Sequence, residues 1–278
     1  MIDVAIIGAG ELGGSLAHVL ARRECARRIQ LIDPSGQIAA GKALDIRQTG
    51  PVEGFDTIVN GSTDLSRAIG AAVVIVADPA RSHGDGDQLL LLRQIAELAS
   101  RAVVICAGTD GRTLVERGVS ELKYSEKRLF GTAPEALSAA IRALVALQLD
   151  ASPKDVALQV LGLPPAQTVV DWDSVTIGGS RATRVLNEPA LRKLTAQFAP
   201  LWPPGPHALA HAAAEAVSAL AGQSRRTLSC YVAPDVTSGR RNRVIALPVR
   251  LSGSGVKSVD VPPLDGAVKT ALESALTL

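Results

Sequence analysis

Three glycines near the start of the chain have the spacing of a phosphate-binding turn. The sequence Gly8-Ala9-Gly10-Glu11-Leu12-Gly13 follows the aliphatic run VAII and opens a segment with apolar residues at helical spacing. In such a turn the first glycine permits a sharp bend, the second lets a diphosphate approach the backbone, and the third lets the helix pack closely on the strand. The pattern predicts a dinucleotide site at Gly8, Gly10, Glu11, Leu12 and Gly13. The alternative is that the glycines only pack a helix against a sheet.

An acidic residue stands where such a site would hold the adenosine ribose. Asp33 ends the second aliphatic run, RIQLID, about 20 residues after Gly13, which is the usual distance. Its carboxylate can accept hydrogen bonds from the ribose 2′-hydroxyl and would repel a 2′-phosphate. The sequence therefore predicts NAD in preference to NADP.

The composition excludes several classes of partner. The chain has 278 residues, of which 47% are hydrophobic and 3% aromatic, as is typical of helices packed on an aliphatic parallel sheet. Its 29 basic and 27 acidic residues give a formal charge of +2, so no strong field favours nucleic acid or a membrane.

The cysteines and the apolar runs bear on where the protein is found. Cys25, Cys106 and Cys230 lie far apart, without the spacing of a metal site, which indicates unpaired thiols in a reduced compartment. No signal segment precedes the first strand, and no apolar run is as long as a membrane span. We expect a soluble cytoplasmic protein.

Strands and helices must alternate in the first half of the chain to place these residues. Aliphatic runs recur as VAIIGAG, RIQLIDPSG, FDTIVNGS, AAVVIVAD and RAVVICAG, with helical patterns between some of them. This alternation is typical of right-handed βαβ units and a parallel sheet. After about residue 129 longer helical patterns and hairpin-like strands follow, which indicates an α+β part. We predict domains at 1–131 and 132–278, and a buried strand from Val156 to Val160 that ends at Gly162.

Two further stretches carry a family resemblance. The segments GKALDIRQTGP (41–51) and LPVRLSGSGVKSVDVPPLDGAVKTALESAL (247–276), with the glycine turn, are similar to those of the lactate/malate dehydrogenase family. The resemblance covers nearly the whole chain. It implies a Rossmann-type doubly wound parallel sheet with a C-terminal α+β domain. It also implies an NAD contact at Ala77 and a homodimer formed through the helix at 41–46.

The resemblance also implies a chemistry whose residues are replaced here. The family transfers hydride between NAD and a 2-hydroxy acid, and needs a histidine as acid/base, an aspartate to orient it, and arginines around the substrate. The positions that match the histidine, the aspartate, the clamping arginine, the carbonyl-polarising arginine and an asparagine near the nicotinamide hold Pro164, Leu137, Ala140, Asp87 and Ala107. Arg81 alone matches a substrate-reading arginine. The sequence predicts a divergent, non-catalytic or altered relative that binds NAD, and its catalytic residues stay unknown.

Two alternatives remain open at the level of sequence. One is an active oxidoreductase on another substrate, with His83 and Asp85 or Asp87 as a relocated acid/base pair. The other is a structural partner that has lost NAD as well, and Asp78 would weaken NAD binding if its carboxylate pointed at the diphosphate.

A metal site is the last candidate. His207, His211 and Glu215 share one helical face, but no second ligand segment accompanies them, and we expect no metal.

Overall fold

The computed structural model describes residues 1–78, 88–234, 243–261, 263–264 and 266–277. The strands are β1 Ile2–Ile7, β2 Ala26–Ile32, β3 Ile58–Ser62, β4 Val73–Val76, β5 Val103–Cys106, β6 Leu129–Gly131, β7 Val156–Ala157, β8 Leu161–Leu163, β9 Gln167–Val169, β10 Thr176–Ile177, β11 Ser180–Arg181, β12 Leu228–Val232, β13 Ile245–Ser252 and β14 Gly255–Val259. The α-helices are α1 Glu11–Arg22, α2 Gly36–Glu53, α3 Gln88–Leu98, α4 Gly111–Ser120, α5 Ala133–Gln148, α6 Ala182–Val185, α7 Glu188–Ala196, α8 Pro206–Leu220 and α9 Gly266–Thr277. Within these ranges, no helix combines the length and the apolar composition needed to cross a membrane.

The first six strands form a parallel sheet in the order β3-β2-β1-β4-β5-β6. β1, β4 and β5 are mostly valine and isoleucine, and each buries four successive residues, as expected for strands covered on both faces. The chain runs outward from β1 to β3 and returns to β4, so the strand order reverses between β1 and β4. A crevice opens at such a switch point, beyond the carboxyl ends of the strands. The doubly wound parallel sheet that the sequence predicts is present.

Helix α1 begins at this crevice. Leu12, Leu16 and Leu20 form its buried stripe, and the helix packs against α8. Gly10 is the N-cap residue and provides no side-chain cap, so the first turn of α1 leaves backbone N–H groups for other partners. The N-terminus of α1 therefore faces the ends of β1 and β4.

The second half of the chain extends the same sheet with antiparallel strands. β12 pairs with β6 through Tyr231 and Gly131, and β13, β8 and β9 follow, giving eleven strands with β14 in the described part of the chain. β7, β10 and β11 form a separate small sheet. Parallel pairing gives way to antiparallel pairing after β6, which coincides with the predicted boundary at residue 131. The division into domains 1–131 and 132–278 stays a prediction.

The strand predicted from Val156 to Val160 is wrong in its extent, because β7 ends at Ala157 and the next strand, β8, begins only at Leu161. β7 pairs with β10, whereas β8 pairs with β13 and β9. Between them, the Val160 N–H donates to Ser229 Oγ (2.9 Å), and Ser229 Oγ donates to Gln159 Oε1 (2.7 Å). The hydroxyl of Ser229, on β12, thus accepts the backbone N–H of Val160 that would otherwise bond to a neighbouring strand. Strand pairing therefore does not continue through Val160. The chain then passes through Gly162, whose φ is +89°, into the turn after β8.

Candidate functional site

The glycine turn between β1 and α1 requires glycine for steric reasons at its first and last positions. Gly8 has a φ of +110°, and a Cβ there would lie 2.3 Å from the carbonyl oxygen of Asp78. A Cβ at Gly13 would lie 1.9 Å from the carbonyl oxygen of Gly8. Both approaches are far shorter than a carbon–oxygen contact, so any larger residue would displace the backbone.

Asp78, which follows β4, places its carboxylate against the glycine turn. The Gly10 N–H donates to the Asp78 carbonyl oxygen at 3.0 Å, and the Gly13 N–H donates to Asp78 Oδ1 at 2.9 Å. A Cβ at Gly10 would lie only 2.0 Å from Asp78 Oδ2. The carboxylate therefore occupies the space that the absent side chain of Gly10 leaves at the N-terminus of α1.

Asp33 lies directly after β2, as the sequence predicts, and its side chain is fully buried. Its Oδ2 accepts from the Ala9 N–H at 2.8 Å, and its Oδ1 accepts from the Ser35 N–H at 2.7 Å. The carboxylate thus ties the glycine turn to the start of α2. Its predicted contact with a ribose hydroxyl stays a prediction.

A cleft of about 430 Å³ runs from the glycine turn across the ends of β4 and β5. Its ionisable lining groups are Glu11, Asp78, Cys106 and Asp110, and no described histidine lines it. Burial raises the pKa of the Cys106 thiol to about 12, so this thiol is neutral at ordinary pH and is a poor nucleophile. Ala77 also lines the cleft. The described walls therefore offer carboxyl groups and a buried thiol, but no imidazole.

The two positions matched to an acid/base pair are buried. Pro164 is buried in the turn between β8 and β9, and its carbonyl oxygen accepts from the Tyr231 hydroxyl at 3.3 Å. Leu137, on α5, is fully buried in an apolar cluster that includes Val160 and Phe198. Ala140 follows on the same helix and is half-buried. None of these three side chains can carry a charge or move a proton.

A buried ion pair beside this region was missed by the sequence analysis. Glu135 Oε1 accepts from Arg142 Nη2 at 2.6 Å, and Oε2 accepts from the Ser229 N–H at 2.9 Å. Burial raises the pKa of the Glu135 carboxyl group, and the charge of Arg142 opposes this rise. Glu135 and Arg142 are seven residues apart and therefore lie on one face of α5. This spacing is the feature of the sequence that could have predicted the pair.

The remaining candidates separate into two groups. Arg81, His83, Asp85 and Asp87 lie outside the described residues. On α8, His207 Nδ1 lies 3.1 Å from Ser15 Oγ, while Glu215 pairs with Arg23 at 3.2 Å. Across the described ranges, no group of three or more potential ligands could hold a metal ion.

Comparisons with known proteins relate the chain to one family. Residues 2–109 match the sequence model described as lactate/malate dehydrogenase, NAD binding domain. A malate dehydrogenase of Thioalkalivibrio sulfidiphilus is 29% identical and covers 99% of this chain and 96% of its own length. A malate dehydrogenase of Chlorobium phaeobacteroides (strain BS1) is 26% identical, with 97% and 95% covered. The chain is thus similar to malate dehydrogenases over nearly its whole length, and residues 2–109 match the NAD binding domain of the lactate/malate dehydrogenase family.

Solved structures agree with this similarity at the level of the fold. A malate dehydrogenase from Salinibacter ruber superposes with a TM-score of 0.87 at 24% identity, covering 99% of this chain and 94% of that one. A lactate dehydrogenase from Cryptosporidium parvum, solved with lactic acid and NAD, gives 0.88 at 20% identity, with 99% and 95% covered. The N-terminal part is the lactate/malate dehydrogenase family's NAD binding domain, which confirms the predicted cofactor at the level of the domain.

The residues of the turn fit NAD in part. Gly8 and Gly13 allow the turn to form, Gly10 is the glycine that lets a diphosphate approach the backbone, and Asp33 directly follows β2, where a ribose contact is predicted. The side-chain position of Asp78 does not fit, because its carboxylate fills the space beside Gly10 and already accepts the Gly13 N–H. The cradle is therefore compatible with the cofactor only after the Asp78 side chain moves.

Proposed function

We propose that this protein is an NAD(H)-binding member of the lactate/malate dehydrogenase family that does not interconvert 2-hydroxy and 2-oxo acids. One observation carries the proposal. The position matched to the acid/base histidine is a buried proline, Pro164, and the position matched to its orienting aspartate is Leu137, fully buried among apolar side chains. We infer a non-catalytic or altered function.

The replacements agree with one another physically. An aspartate at position 137 without a histidine partner would be a buried unpaired carboxylate, which is costly, and leucine removes that cost. Ala140 offers no charge to a substrate carboxylate. General acid–base assistance contributes about 10²–10⁴-fold to a typical enzyme rate, and loss of electrostatic stabilisation adds to this deficit. A rate far below that of an ordinary enzyme is the expected result.

Three finer features belong to the same proposal. Asp33 makes the site prefer NAD over NADP, and Arg81 contacts a substrate or another anion. The protein is a cytoplasmic homodimer that associates through α2. In support of this interface, Leu44 is 48% exposed on α2, next to Gly41 and close to Ala40, so a small and apolar strip faces outward.

The test is a rate measurement with binding as its internal control. The protein is incubated with NADH and oxaloacetate or pyruvate, and with NAD and malate or lactate, while the absorbance of the reduced nicotinamide is followed. We expect no turnover in a preparation that binds NADH by titration calorimetry. Turnover of any of these acids at an ordinary enzymatic rate, about 1–10³ s⁻¹, would show that another residue supplies the acid.

A further inference from the structure

We propose that Asp78 determines which nucleotides the glycine turn accepts. The Asp78 carboxylate occupies the position that the diphosphate of a ligand would take. A ligand therefore gains little binding energy from its diphosphate until this side chain moves. The inference rests on the proposed binding of NAD at this turn. It adds that the adenosine part and the diphosphate part of the ligand contribute very unequally to the binding affinity for this protein.

Competition for one backbone donor is the first argument. The Gly13 N–H lies in the first turn of α1 and donates to Asp78 Oδ1 at 2.9 Å. Such first-turn N–H groups are the donors that a helix offers to phosphate. A carboxylate is itself an anion and makes a charge-assisted hydrogen bond there. The diphosphate must therefore replace a bond of the same kind rather than find a vacant donor.

Occupied space is the second argument. Asp78 Oδ2 lies 2.0 Å from the place of a Cβ at Gly10, which is the glycine that admits a diphosphate to the backbone. The main chain of Asp78 is fixed there, because its carbonyl oxygen accepts the Gly10 N–H at 3.0 Å. Release of the site therefore needs rotation of the Asp78 side chain while its backbone stays in place.

Charge is the third argument. A carboxylate that stays within a few ångströms of a diphosphate repels it. At the same turn, Lys42 Nζ donates to the Gly10 carbonyl oxygen at 2.6 Å. Removal of the Asp78 charge would leave one carboxylate fewer beside the ligand and the Lys42 ammonium group in place, which favours an anionic ligand.

The experiment compares three ligands on four proteins by titration calorimetry. The ligands are adenosine, ADP and NAD, and the proteins are wild type, Asp78→Asn, Asp78→Ala and Asp110→Asn. Asp78→Asn removes the charge but keeps an acceptor for the Gly13 N–H, and Asp78→Ala removes both. Asp110 lines the same cleft without capping its own helix through a side-chain bond, so its variant controls for the loss of one negative charge. Thermal unfolding shows that each variant is folded.

We expect Asp78→Ala to bind ADP and NAD at least tenfold more tightly than wild type, which equals about 1.4 kcal/mol. Asp78→Asn should give an intermediate gain, and Asp110→Asn a change below about threefold, which is under 1 kcal/mol. Adenosine affinity should stay within about twofold throughout, since that ligand has no diphosphate.

The possible failures are distinguishable. Equal affinities for NAD in wild type and both Asp78 variants, with adenosine bound, would overturn the role of Asp78 and leave the NAD site standing. An equal gain for adenosine would mean that Asp78 affects the turn as a whole, which also overturns the inference. If none of the folded proteins binds adenosine, ADP or NAD, both the inference and the proposed NAD site are wrong.

Discussion

Replacement of Leu137 by aspartate tests whether the core still has room for an acid/base pair. Leu137 is 0% exposed on the inner face of α5 and shares an apolar cluster with Val160 and Phe198. The position matches the family's orienting aspartate. If the surroundings have been rebuilt as an apolar core, as we propose, a carboxyl group at this position has no partner.

The expected cost has two parts. Truncation of a buried leucine typically costs about 2–5 kcal/mol. Full burial can raise the pKa of a carboxyl group by about 3–5, and each step of one in pKa is equivalent to about 1.4 kcal/mol. With a folded pKa near or above 7, the carboxyl group would add roughly 4 kcal/mol at pH 7. The sum of about 6–9 kcal/mol is comparable to the whole stability of a typical domain.

The second part of the cost depends on pH. The pKa of the new carboxyl group is raised in the folded state, so the folded form is favoured below the ordinary aspartate pKa and loses stability as pH rises toward the folded pKa. We expect the difference from wild type to grow by about 1.4 kcal/mol per pH unit between pH 4 and 7. Leu137→Asn has a similar shape and no charge, and its cost should not change with pH.

Urea denaturation at pH 5 and pH 7 measures these differences. Leu147→Asp is the matched control, since Leu147 lies on the same helix with 82% of its surface exposed, and it should cost within about 0.5 kcal/mol. A loss below about 1.5 kcal/mol for Leu137→Asp at pH 7, independent of pH, would refute the reasoning. Such a result would mean that a polar group or a water molecule is already placed to hydrogen-bond a carboxyl group at residue 137.

Three further predictions follow from the same contacts. Calorimetry should give tighter binding of NAD than of NADP to wild type, because the 2′-phosphate would approach Asp33, and equal affinities would remove that role. Light scattering should show a dimer at micromolar concentration and a monomer for Leu44→Glu, because a charge would enter the strip on α2; a wild-type monomer contradicts the proposed interface. Burial raises the pKa of Glu135, so its contribution to stability is present at low pH and lost as pH rises. Urea denaturation should therefore show the stability of wild type relative to Glu135→Gln falling above the ordinary carboxyl range, and a constant difference would count against the raised pKa.

The local features of the fold could be predicted from the sequence. The aliphatic runs at β1, β4 and β5 are bounded by glycine, alanine or acidic residues, so both their existence and their carboxyl ends are readable. The glycine turn and Asp33 have a fixed spacing because one βαβ unit contains them both. Prediction succeeds there because the determining contacts lie within one such unit.

The contacts that were missed join distant parts of the chain. Ser229 accepts the Val160 N–H, so strand pairing does not continue through Val160 as the sequence predicts. Ser229 and Val160 are 69 residues apart in the chain. The same hydroxyl accepts from Ser138 at 3.1 Å, and the Ser229 N–H reaches Glu135. No periodicity or local propensity encodes which polar side chain will face a given backbone donor across a core. The contacts of Ser229 with Val160, Ser138 and Glu135 are therefore visible only in the structure.

The glycine motif does not by itself report the cofactor, and the geometry explains why. Gly8 and Gly13 are fixed by contacts within the protein, since a Cβ at either would strike a backbone oxygen within 2.3 Å. A chain that had lost NAD would still need both in order to fold. Gly10 is the one whose missing Cβ opens space toward a ligand, and in this chain Asp78 fills that space. The match of residues 2–109 establishes an NAD binding domain. If the proposed role of Asp78 is right, the strength of NAD binding depends on the energy needed to move its carboxylate away from the Gly13 N–H.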